Sequence, residues 1–328
     1  MTVRMTIIGL GQTGASIGLA LAAQKRQVMR IGHDRSPEIA RQAKKLGAVD
    51  DIAHNLHAAV ETADVVILAI PVDEVRETLD LIAEDLRPNA LVIDTSPLKT
   101  AVSAWAQELL PPGRFFITFT LSINPAYLHE TAAGIEAAHA DLFQNSLAMI
   151  TSRPGANPDV VNFAADLATL LGCKPLFTDS YESDGLMAAT SLLPQLLAAA
   201  MVNATAGQPG WVEARKFAGK EYAQATEPVA HLADTQTLGQ AYLQNRENVV
   251  RVMDNLLAAL RELRQAIVED EDGTLHALLH NARDDRRIWL EQRQSANWNP
   301  ALKMELPRSS DVFGRLFGLG RRRPDKRP

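Results

Sequence analysis

The sequence predicts an α/β unit built on a parallel sheet, followed by an all-helical unit. Short apolar runs alternate with helical patterns through the first half, and from Ser183 onward the pattern is helical almost to the end. Near-continuous apolar strands that alternate with helices are typical of a parallel sheet covered on both faces, with right-handed crossovers. We expect an α/β domain at residues 1–178, a helical domain at residues 179–300 and a basic tail at residues 301–328.

Apolar, β-branched runs predict the strands, and the segments between them carry helical periodicity. Strands are expected at Val3–Ile8, Val28–Gly32, Asp64–Ile70, Leu91–Asp94, Phe115–Thr120 and Leu147–Thr151. Helices of the same domain are expected at Ser16–Ala23, Pro37–Leu46, Val72–Asp85 and Lys99–Leu110. The second half contains no strand-like run, and long helices are expected at Gly185–Thr205, Val212–Gln224, Thr235–Glu269 and Gly273–Gln294.

The composition is that of an ordinary globular protein, since 46% of the 328 residues are hydrophobic and 22% are charged. The formal net charge of -6 argues against nucleic acid as a partner. The single cysteine, Cys173, cannot form an internal disulfide, and its apolar surroundings predict a buried, inert thiol. The N-terminal residues show no signal-peptide pattern, so we expect a cytoplasmic protein.

Two segments raise the question of a membrane. Residues 186–204 are apolar but contain Thr190, Gln195 and Asn203, whereas a membrane span of about 20 residues is more uniformly apolar. We interpret them as a helix buried between domains or subunits and expect no transmembrane segment. Residues 311–328 combine apolar residues with an arginine run. A solvated terminus is the simpler interpretation, and contact with anionic lipid or an acidic partner is the alternative.

A glycine-rich loop carries the strongest functional signal. It consists of Gly9, Leu10, Gly11, Gln12, Thr13 and Gly14, which fit the pattern G-x-G-x-x-G between the first strand and a helix. In such a loop Gly9 permits the tight turn, Gly11 lets a diphosphate approach the backbone, and Gly14 lets helix and strand pack closely. The helix start offers free N–H groups and a partial positive charge to the phosphates. The loop therefore predicts a Rossmann-type domain that binds NAD(H) or NADP(H).

An acidic residue follows this loop at the distance that a dinucleotide requires. Asp34 lies 20 residues beyond Gly14 and ends the second strand. A carboxylate there accepts hydrogen bonds from the adenine ribose and repels a 2′-phosphate, which favours NAD. Arg35 comes next and can hold that phosphate, so NADP stays open as the cofactor.

Six segments carry a family pattern: Ile7–Gly11, Gly14–Gly18, Gly32–Arg35, Leu68–Val72, Asp94–Lys99 and Leu243–Val249. Together they resemble the prephenate and arogenate dehydrogenases, and the similarity spans roughly residues 5–295. The resemblance implies NAD(P)-dependent oxidative decarboxylation of a small-molecule substrate in tyrosine biosynthesis. It further implies a homodimer formed by the helical domain, and contacts from Ala69, Ile70 and Pro71 beside the nicotinamide.

The sequence departs from the family where proton transfer takes place. The family's catalytic His-Pro step, just after the fifth predicted strand, reads Asn124-Pro125 here, and an amide cannot accept a proton at a useful pH. The family's serine in an Asp-x-x-Ser-x-Lys turn falls on Pro97, with Ser96 one residue early and Lys99 retained. Asn124, Ser96 and Lys99 are therefore the candidate catalytic residues. These departures also indicate that the substrate could differ from that of the family.

The helical half shows a similar trend. The family's Ser-His-Leu-Pro-His segment reads Ser191–Gln195 here and has lost both histidines. A Trp-Arg pair that binds substrate in the family appears as Leu238 and Gly239. Losing that arginine removes a bidentate clamp for a carboxylate.

Several alternatives stay open. His129, five residues after Asn124, is a weaker candidate base from the next helix, and His139 and His231 are weaker still. No metal-ligand spacing is present, so no metal site is expected. A catalytically impaired dinucleotide sensor is the alternative function. A β-hydroxyacid dehydrogenase is disfavoured because that plan needs a lysine on the first long helix of the second domain, and Gly185–Thr205 has none.

Overall fold

The computed structural model describes residues 2–24, 26–230 and 235–295. The chain divides into two compact units, one reaching to Ser180 and including the stretch from Glu291, the other covering Tyr181–Leu290. The first unit contains the sheet, and the second is built from helices. The last helix, which sequence analysis assigns to the helical domain, thus ends in the first unit. The predicted basic tail lies outside the described residues.

The first unit is built on one eight-stranded sheet. Its strands are β1 (Val3–Ile8), β2 (Val28–His33), β3 (Asp51–Ile52), β4 (Val65–Leu68), β5 (Leu91–Asp94), β6 (Phe115–Leu121), β7 (Ser146–Thr151) and β8 (Cys173–Phe177). Their order across the sheet is β3-β2-β1-β4-β5-β6-β7-β8. The predicted parallel sheet is confirmed for every pair except β6–β7, which is antiparallel. The segment between these two strands contains 3₁₀ turns in place of the crossover helix that parallel pairing requires.

The helices of the first unit cover both faces of the sheet. They are α1 (Gln12–Ala20), α2 (Pro37–Leu46), α3 (Leu56–Val60), α4 (Val72–Ile82), α5 (Thr100–Leu109) and α6 (Pro158–Leu170). The sequence pattern did not predict β3, α3, α6 or β8. β3 is only two residues long, and β8 contains Lys174 and Pro175, a composition that fits the sheet edge where β8 lies.

The second unit continues with α7 (Ser180–Met187), α8 (Leu193–Ala206), α9 (Trp211–Ala214), α10 (Lys220–Ala230), α11 (Thr235–Gln244), α12 (Arg246–Val268) and α13 (Asp272–Ser295). One π-helical turn joins α7 to α8 just before Pro194, which lacks the N–H that a regular helix needs. The helix expected at residues 212–224 is split into α9 and α10. The helix expected at residues 235–269 is interrupted at Asn245, whose side-chain amide donates to the carbonyl oxygen of Asp184 at 2.8 Å.

The helical stretch Ser180–Ala206 is, within the described residues, long and apolar enough to cross a membrane by length and composition. The mean hydropathy of its most apolar 18-residue window is 1.6, and 17% of that window is buried. The stretch packs against α10 and α12 of the same unit. Much of its apolar surface is therefore exposed in the single chain, and Leu186 and Leu197 are examples.

The sheet and the helices α1, α2 and α6 share one hydrophobic core. Ile7, Ile67 and Ile93 lie at the centre of this core and are fully buried or nearly so. Arg30 on β2 is fully buried within the same unit, and its guanidinium pairs with Asp50 at 2.6 Å. The same guanidinium donates to the carbonyl oxygens of Gly18 and Gly47, so the buried charge is fully partnered.

Candidate active site

The loops that follow the parallel strands lie together at the carboxyl ends of those strands. β1 pairs with β2 on one side and with β4 on the other, so the strand order reverses there. Open α/β sheets bind ligands in the crevice outside the strand ends at such a switch point. A cleft of about 500 Å³ opens at this point. We call it the glycine-loop cleft, and it is lined by Ile8, Gly9, Gly11, His33, Asp34, Arg35, Ser36, Ile39, Leu56, Ala69, Ile70, Pro71, Glu74, Thr78, Gly134 and Ile135.

The three loop glycines have three different surroundings. Gly9 has a positive φ of 87°, and a Cβ there would collide with the carbonyl oxygen of Ala69. A Cβ on Gly14 would collide with the carbonyl oxygen of Gly9. A Cβ on Gly11, by contrast, would meet no atom within 4 Å. Gly9 and Gly14 therefore serve the fold, whereas Gly11 leaves open space in the cleft.

The helix that begins at the loop presents its N-terminus to the cleft. α1 begins at Gln12, four residues earlier than expected, and Gly11 is its N-cap without any side-chain cap. The first turn contains no acidic residue, so no carboxylate of the helix itself competes for its free N–H groups. Gln12 and Thr13 are half-buried on this turn. The arrangement suits an anionic diphosphate group.

Asp34 stands at the end of β2, beside the glycine loop. Its Oδ2 accepts a hydrogen bond of 2.8 Å from the backbone N–H of Leu10, and its Oδ1 accepts one of 2.9 Å from Ser36. The side chain of Leu10 is itself fully buried, so this residue serves the site through its backbone. These bonds hold the carboxylate over the loop and into the cleft.

A residue that sequence analysis missed, Glu74, lies across the cleft from Asp34. It belongs to the first turn of α4, and its Oε1 pairs with Nη1 of Arg35 at 2.5 Å. Burial in the cleft raises the pKa of the Glu74 carboxyl, while the charge of Arg35 opposes that shift. One feature of the sequence could have indicated Glu74: it lies in the first helical turn after β4, close to the predicted cofactor contacts Ala69, Ile70 and Pro71.

The residues at the end of β5 form a buried network. Lys99 and Asp94 are both fully buried, and the ammonium of Lys99 lies 3.2 Å from Oδ2 of Asp94. The same ammonium donates to the carbonyl oxygens of Phe119 and Ser96. Ser96 is buried too, and its hydroxyl donates to Oδ2 of Asp94 at 2.9 Å. Lys99 and Ser96 thus hold the ends of β5 and β6 together, with their polar groups directed at the protein's own oxygens.

Asn124 follows β6 and caps the 3₁₀ turn Pro125–Tyr127. Its Oδ1 accepts a hydrogen bond from the N–H of Ala126, and its Nδ2 donates to the carbonyl oxygen of Asp141, both at 3.1 Å. The side chain is half-buried at the strand's carboxyl end. It can offer a hydrogen bond to a ligand, but its amide cannot take up a proton.

Two of the histidines considered as replacement bases, His129 and His139, lie in the described part of the chain, in different settings. His129 is exposed in a turn and not in a helix as expected. The ring of His139 stacks on Tyr127 with 4.1 Å between ring centroids, and its Nε2 lies 2.9 Å from Glu130. The hydroxyl of Tyr127 donates to Asp141 at 2.6 Å, a bond that raises the pKa of Tyr127 to about 12. These contacts hold the segment after Asn124. His231 lies outside the described residues.

Another residue that sequence analysis missed, Arg293, reaches the end of β6. Its Nη2 donates to the carbonyl oxygen of Ile123, the residue before Asn124, at 2.7 Å. The side chain is buried, and burial lowers the pKa of its guanidinium. Donor and acceptor are 170 positions apart in the sequence, so no local sequence pattern could have indicated this contact.

The departures in the helical half lie within the second unit. Ser191 belongs to the π-helical turn, and Oε1 of Gln195 accepts a hydrogen bond of 3.3 Å from the hydroxyl of Tyr242. Leu238 and Gly239 lie in α11, and a Cβ on Gly239 would meet no atom within 4 Å. The side chain of Leu238 lies outside the described residues. In the described residues no group of three His, Cys, Asp or Glu side chains is placed to hold a metal ion.

The fold and the glycine-loop cleft define the class of protein: a dehydrogenase with a Rossmann-type nucleotide-binding domain and a helical second unit. Residues 17–176 match the family described as prephenate dehydrogenase, nucleotide-binding domain. Residues 179–281 match prephenate dehydrogenase, dimerization domain. The chain therefore belongs to the prephenate dehydrogenase family, the NAD-dependent oxidoreductases of tyrosine biosynthesis.

Curated relatives agree with this assignment. The chain is 25% identical to the cyclohexadienyl dehydrogenase of Zymomonas mobilis over 271 residues, which cover 82% of this chain and 89% of that protein. It is 26% identical to the prephenate dehydrogenase of Bacillus subtilis over 285 residues, covering 85% and 74% of the two chains.

Solved structures share the fold. The prephenate dehydrogenase of A. aeolicus, in complex with hydroxyphenyl propionate and NAD⁺, superposes with a TM-score of 0.75 at 20% identity, covering 88% of this chain and 98% of that one. The arogenate dehydrogenase of Synechocystis gives a TM-score of 0.68 at 23% identity, covering 88% and 100%.

Proposed function

We propose that this protein binds NAD in the glycine-loop cleft and oxidatively decarboxylates prephenate, arogenate or a close analogue of them. The observation that carries the proposal is the combination of Gly11 and Asp34 at the switch point. Gly11 leaves open space for a ligand, and Asp34 supplies a carboxylate that the backbone holds in place. Both family domains and the names of the curated relatives support the reaction class.

The chain's own residues fit a dinucleotide. The N-terminus of α1 and the space at Gly11 would hold the diphosphate, and Asp34 would accept the hydroxyls of the adenine ribose. Ala69, Ile70 and Pro71, after β4, would flank the nicotinamide. When bound, the nicotinamide accepts the hydride that leaves the substrate ring.

The substrate side is built around the end of β6. Asn124 would hold a ring hydroxyl of the substrate by a hydrogen bond, although it cannot take the proton that this hydroxyl loses. Lys99 and Ser96 act indirectly, because their network fixes the ends of β5 and β6. We therefore expect slow turnover on prephenate or a substrate whose oxidation depends less on a strong base at this position.

We further propose a cytoplasmic homodimer formed by the helical domain, with the working domain boundary between residues 178 and 179. The match of residues 179–281 to a dimerization domain supports this assembly. So does the exposed apolar surface of Ser180–Ala206, which burial in a subunit interface would explain without a membrane.

The test is direct. The purified protein is titrated with NADH and NADPH, and is then mixed with NAD⁺ and prephenate or arogenate while the absorbance of reduced nicotinamide is followed. We expect saturable cofactor binding and measurable reduction with at least one of the two substrates. Absence of saturable binding would refute the cofactor site, and binding without reduction on either substrate would exclude prephenate and arogenate themselves as substrates.

A further inference from the structure

Two opposite charges meet at the mouth of the glycine-loop cleft. Arg35 follows β2 directly after Asp34, and Glu74 lies on the first turn of α4, yet their side chains pair at 2.5 Å. The side chain of Arg35 is 81% exposed and that of Glu74 is 32% exposed. An exposed ion pair of this kind contributes about 0–1 kcal/mol to stability, so stability alone does not account for it.

The position of the pair is more informative than its strength. Both side chains line the cleft together with Asp34 and Gly11. Asp34 is fixed by the backbone N–H groups of Leu10 and Ser36, so its carboxylate marks where a ribose would lie. Arg35 is the cation beside that place, where a dinucleotide with a 2′-phosphate would put its extra charge.

Glu74 changes what Arg35 can do. An arginine at the end of the second strand normally offers a bidentate site for a 2′-phosphate. Here one of its terminal nitrogens already donates to Glu74. A 2′-phosphate would have to displace that carboxylate and would then lie close to two acidic side chains, Glu74 and Asp34. An unmodified ribose meets neither obstacle.

We propose that Glu74 is a specificity-determining residue that neutralises Arg35 and so makes the cleft prefer NAD(H) over NADP(H). The inference rests on the proposed function, because it requires that the cleft hold a dinucleotide. It assigns the choice of cofactor to the pair of Arg35 and Glu74, whereas the sequence alone left Asp34 and Arg35 as opposing indications.

The experiment compares dissociation constants for NADH and NADPH by nicotinamide fluorescence, using the full chain. Glu74→Gln removes the charge that occupies Arg35, and we expect the NADPH-to-NADH affinity ratio to rise by about tenfold. Glu77→Gln is the matched control, since Glu77 is an exposed acid on the same helix that is outside the lining of the cleft. It should leave the ratio unchanged. The double variant Arg35→Gln/Glu74→Gln should lose the gain, because the freed arginine supplies it.

The outcomes distinguish a failure of the role assigned to Glu74 from a failure of the proposed cofactor site. If the wild-type protein binds NADH and Glu74→Gln keeps the wild-type ratio, this inference is wrong while the proposed cofactor site stands. A gain that persists in the double variant, or that Glu77→Gln reproduces, would also overturn it, since Arg35 would then not be responsible. If the wild-type protein binds neither cofactor, the proposed function fails and the inference fails with it. Thermal unfolding of each variant confirms that it is folded, as expected for an exposed pair.

Discussion

The backbone N–H of Leu10 donates a hydrogen bond of 2.8 Å to Oδ2 of Asp34, which joins the middle of the glycine loop to the end of β2. This bond connects the two sequence signals from which the dinucleotide site was inferred. It also fixes the carboxylate before any ligand arrives, so little ordering is left to occur on binding. The loop and the acid therefore form a preorganised site.

Alanine at two loop glycines should separate binding from folding. Gly11→Ala adds a methyl group into open space, so the protein should fold normally while its affinity for NADH falls by about tenfold or more. Gly14→Ala places the methyl group against the carbonyl oxygen of Gly9, so it should destabilise the fold by about 1–3 kcal/mol. Urea unfolding and NADH titration of both variants measure the two effects. Equal loss of stability in the two variants would contradict the assigned roles.

Removing Lys99 should be strongly destabilising. Its ammonium is the buried partner of Asp94 and donates to two carbonyl oxygens, so Lys99→Met leaves an uncompensated carboxylate and unpaired acceptors. Breaking one side of a buried pair costs about 3–5 kcal/mol. Lys45→Met, at an exposed lysine near the end of α2, is the control and should change the free energy of unfolding by less than about 0.5 kcal/mol. A stable Lys99→Met variant with reduced substrate affinity would instead assign Lys99 to the substrate.

The sequence predicted the parts of the fold that depend on local pattern. β1, α2 and β5 have the predicted bounds, and the structure adds that Ser36 caps the N-terminus of α2. The antiparallel pairing of β6 with β7 was not predictable in this way, because strand direction depends on how the connecting segment returns to the sheet. The edge strand β8 was missed because Lys174 and Pro175 break its apolar run.

The site was predictable to a similar extent. The glycine loop and Asp34 follow from a motif with fixed spacing, and the structure brings them to one cleft. Glu74 and Arg293 were missed because their partners, Arg35 and Ile123, are distant in sequence and meet only through the fold. Lys99 was a candidate catalytic residue, and in the structure its buried ammonium donates to protein oxygens, contacts that no sequence pattern reveals.

Histidine at position 124 should raise turnover if the family reaction operates here. Asn124→His supplies a base whose pKa is near 6.5, so kcat should rise by about 100-fold or more on the accepted substrate. The rate should then increase with pH through about 6–7, as the imidazole becomes neutral. Asn124→Ala is the control, since it removes the same turn-capping bond without adding a base. Equal rates and unchanged pH profiles in all three proteins would show that the proton leaves by another route.

An exposed apolar face on α12 should belong to the homodimer interface proposed for the helical domain, together with the stretch Ser180–Ala206. Val250, Met253, Leu257 and Leu260 recur at helical spacing, and between 38% and 54% of each is exposed in the single chain. A two-fold interface carries any substitution twice, so Leu257→Asp should weaken the dimer by about 100-fold or more. Asn255→Asp, an exposed change on another face of α12, should leave it intact. Light scattering over a concentration series measures the mass. A dimer that survives Leu257→Asp would place the interface elsewhere.

Cys173 should make the fold sensitive to alkaline pH. The thiol is buried beside Ser146, and burial raises its pKa from 9.0 to about 11. Between these values the unfolded chain releases the proton and the folded chain keeps it, so stability falls as pH rises through this window and is intact below about pH 9. From pH 8 to pH 10 the free energy of unfolding of the wild-type protein should therefore fall by about 1.4 kcal/mol more than that of Cys173→Ala. Urea unfolding at both pH values measures this difference, and a thiol reagent should label Cys173 at pH 8 only in denaturant. Rapid labelling of the folded protein, or parallel pH profiles for the two proteins, would show that the thiol is open to solvent.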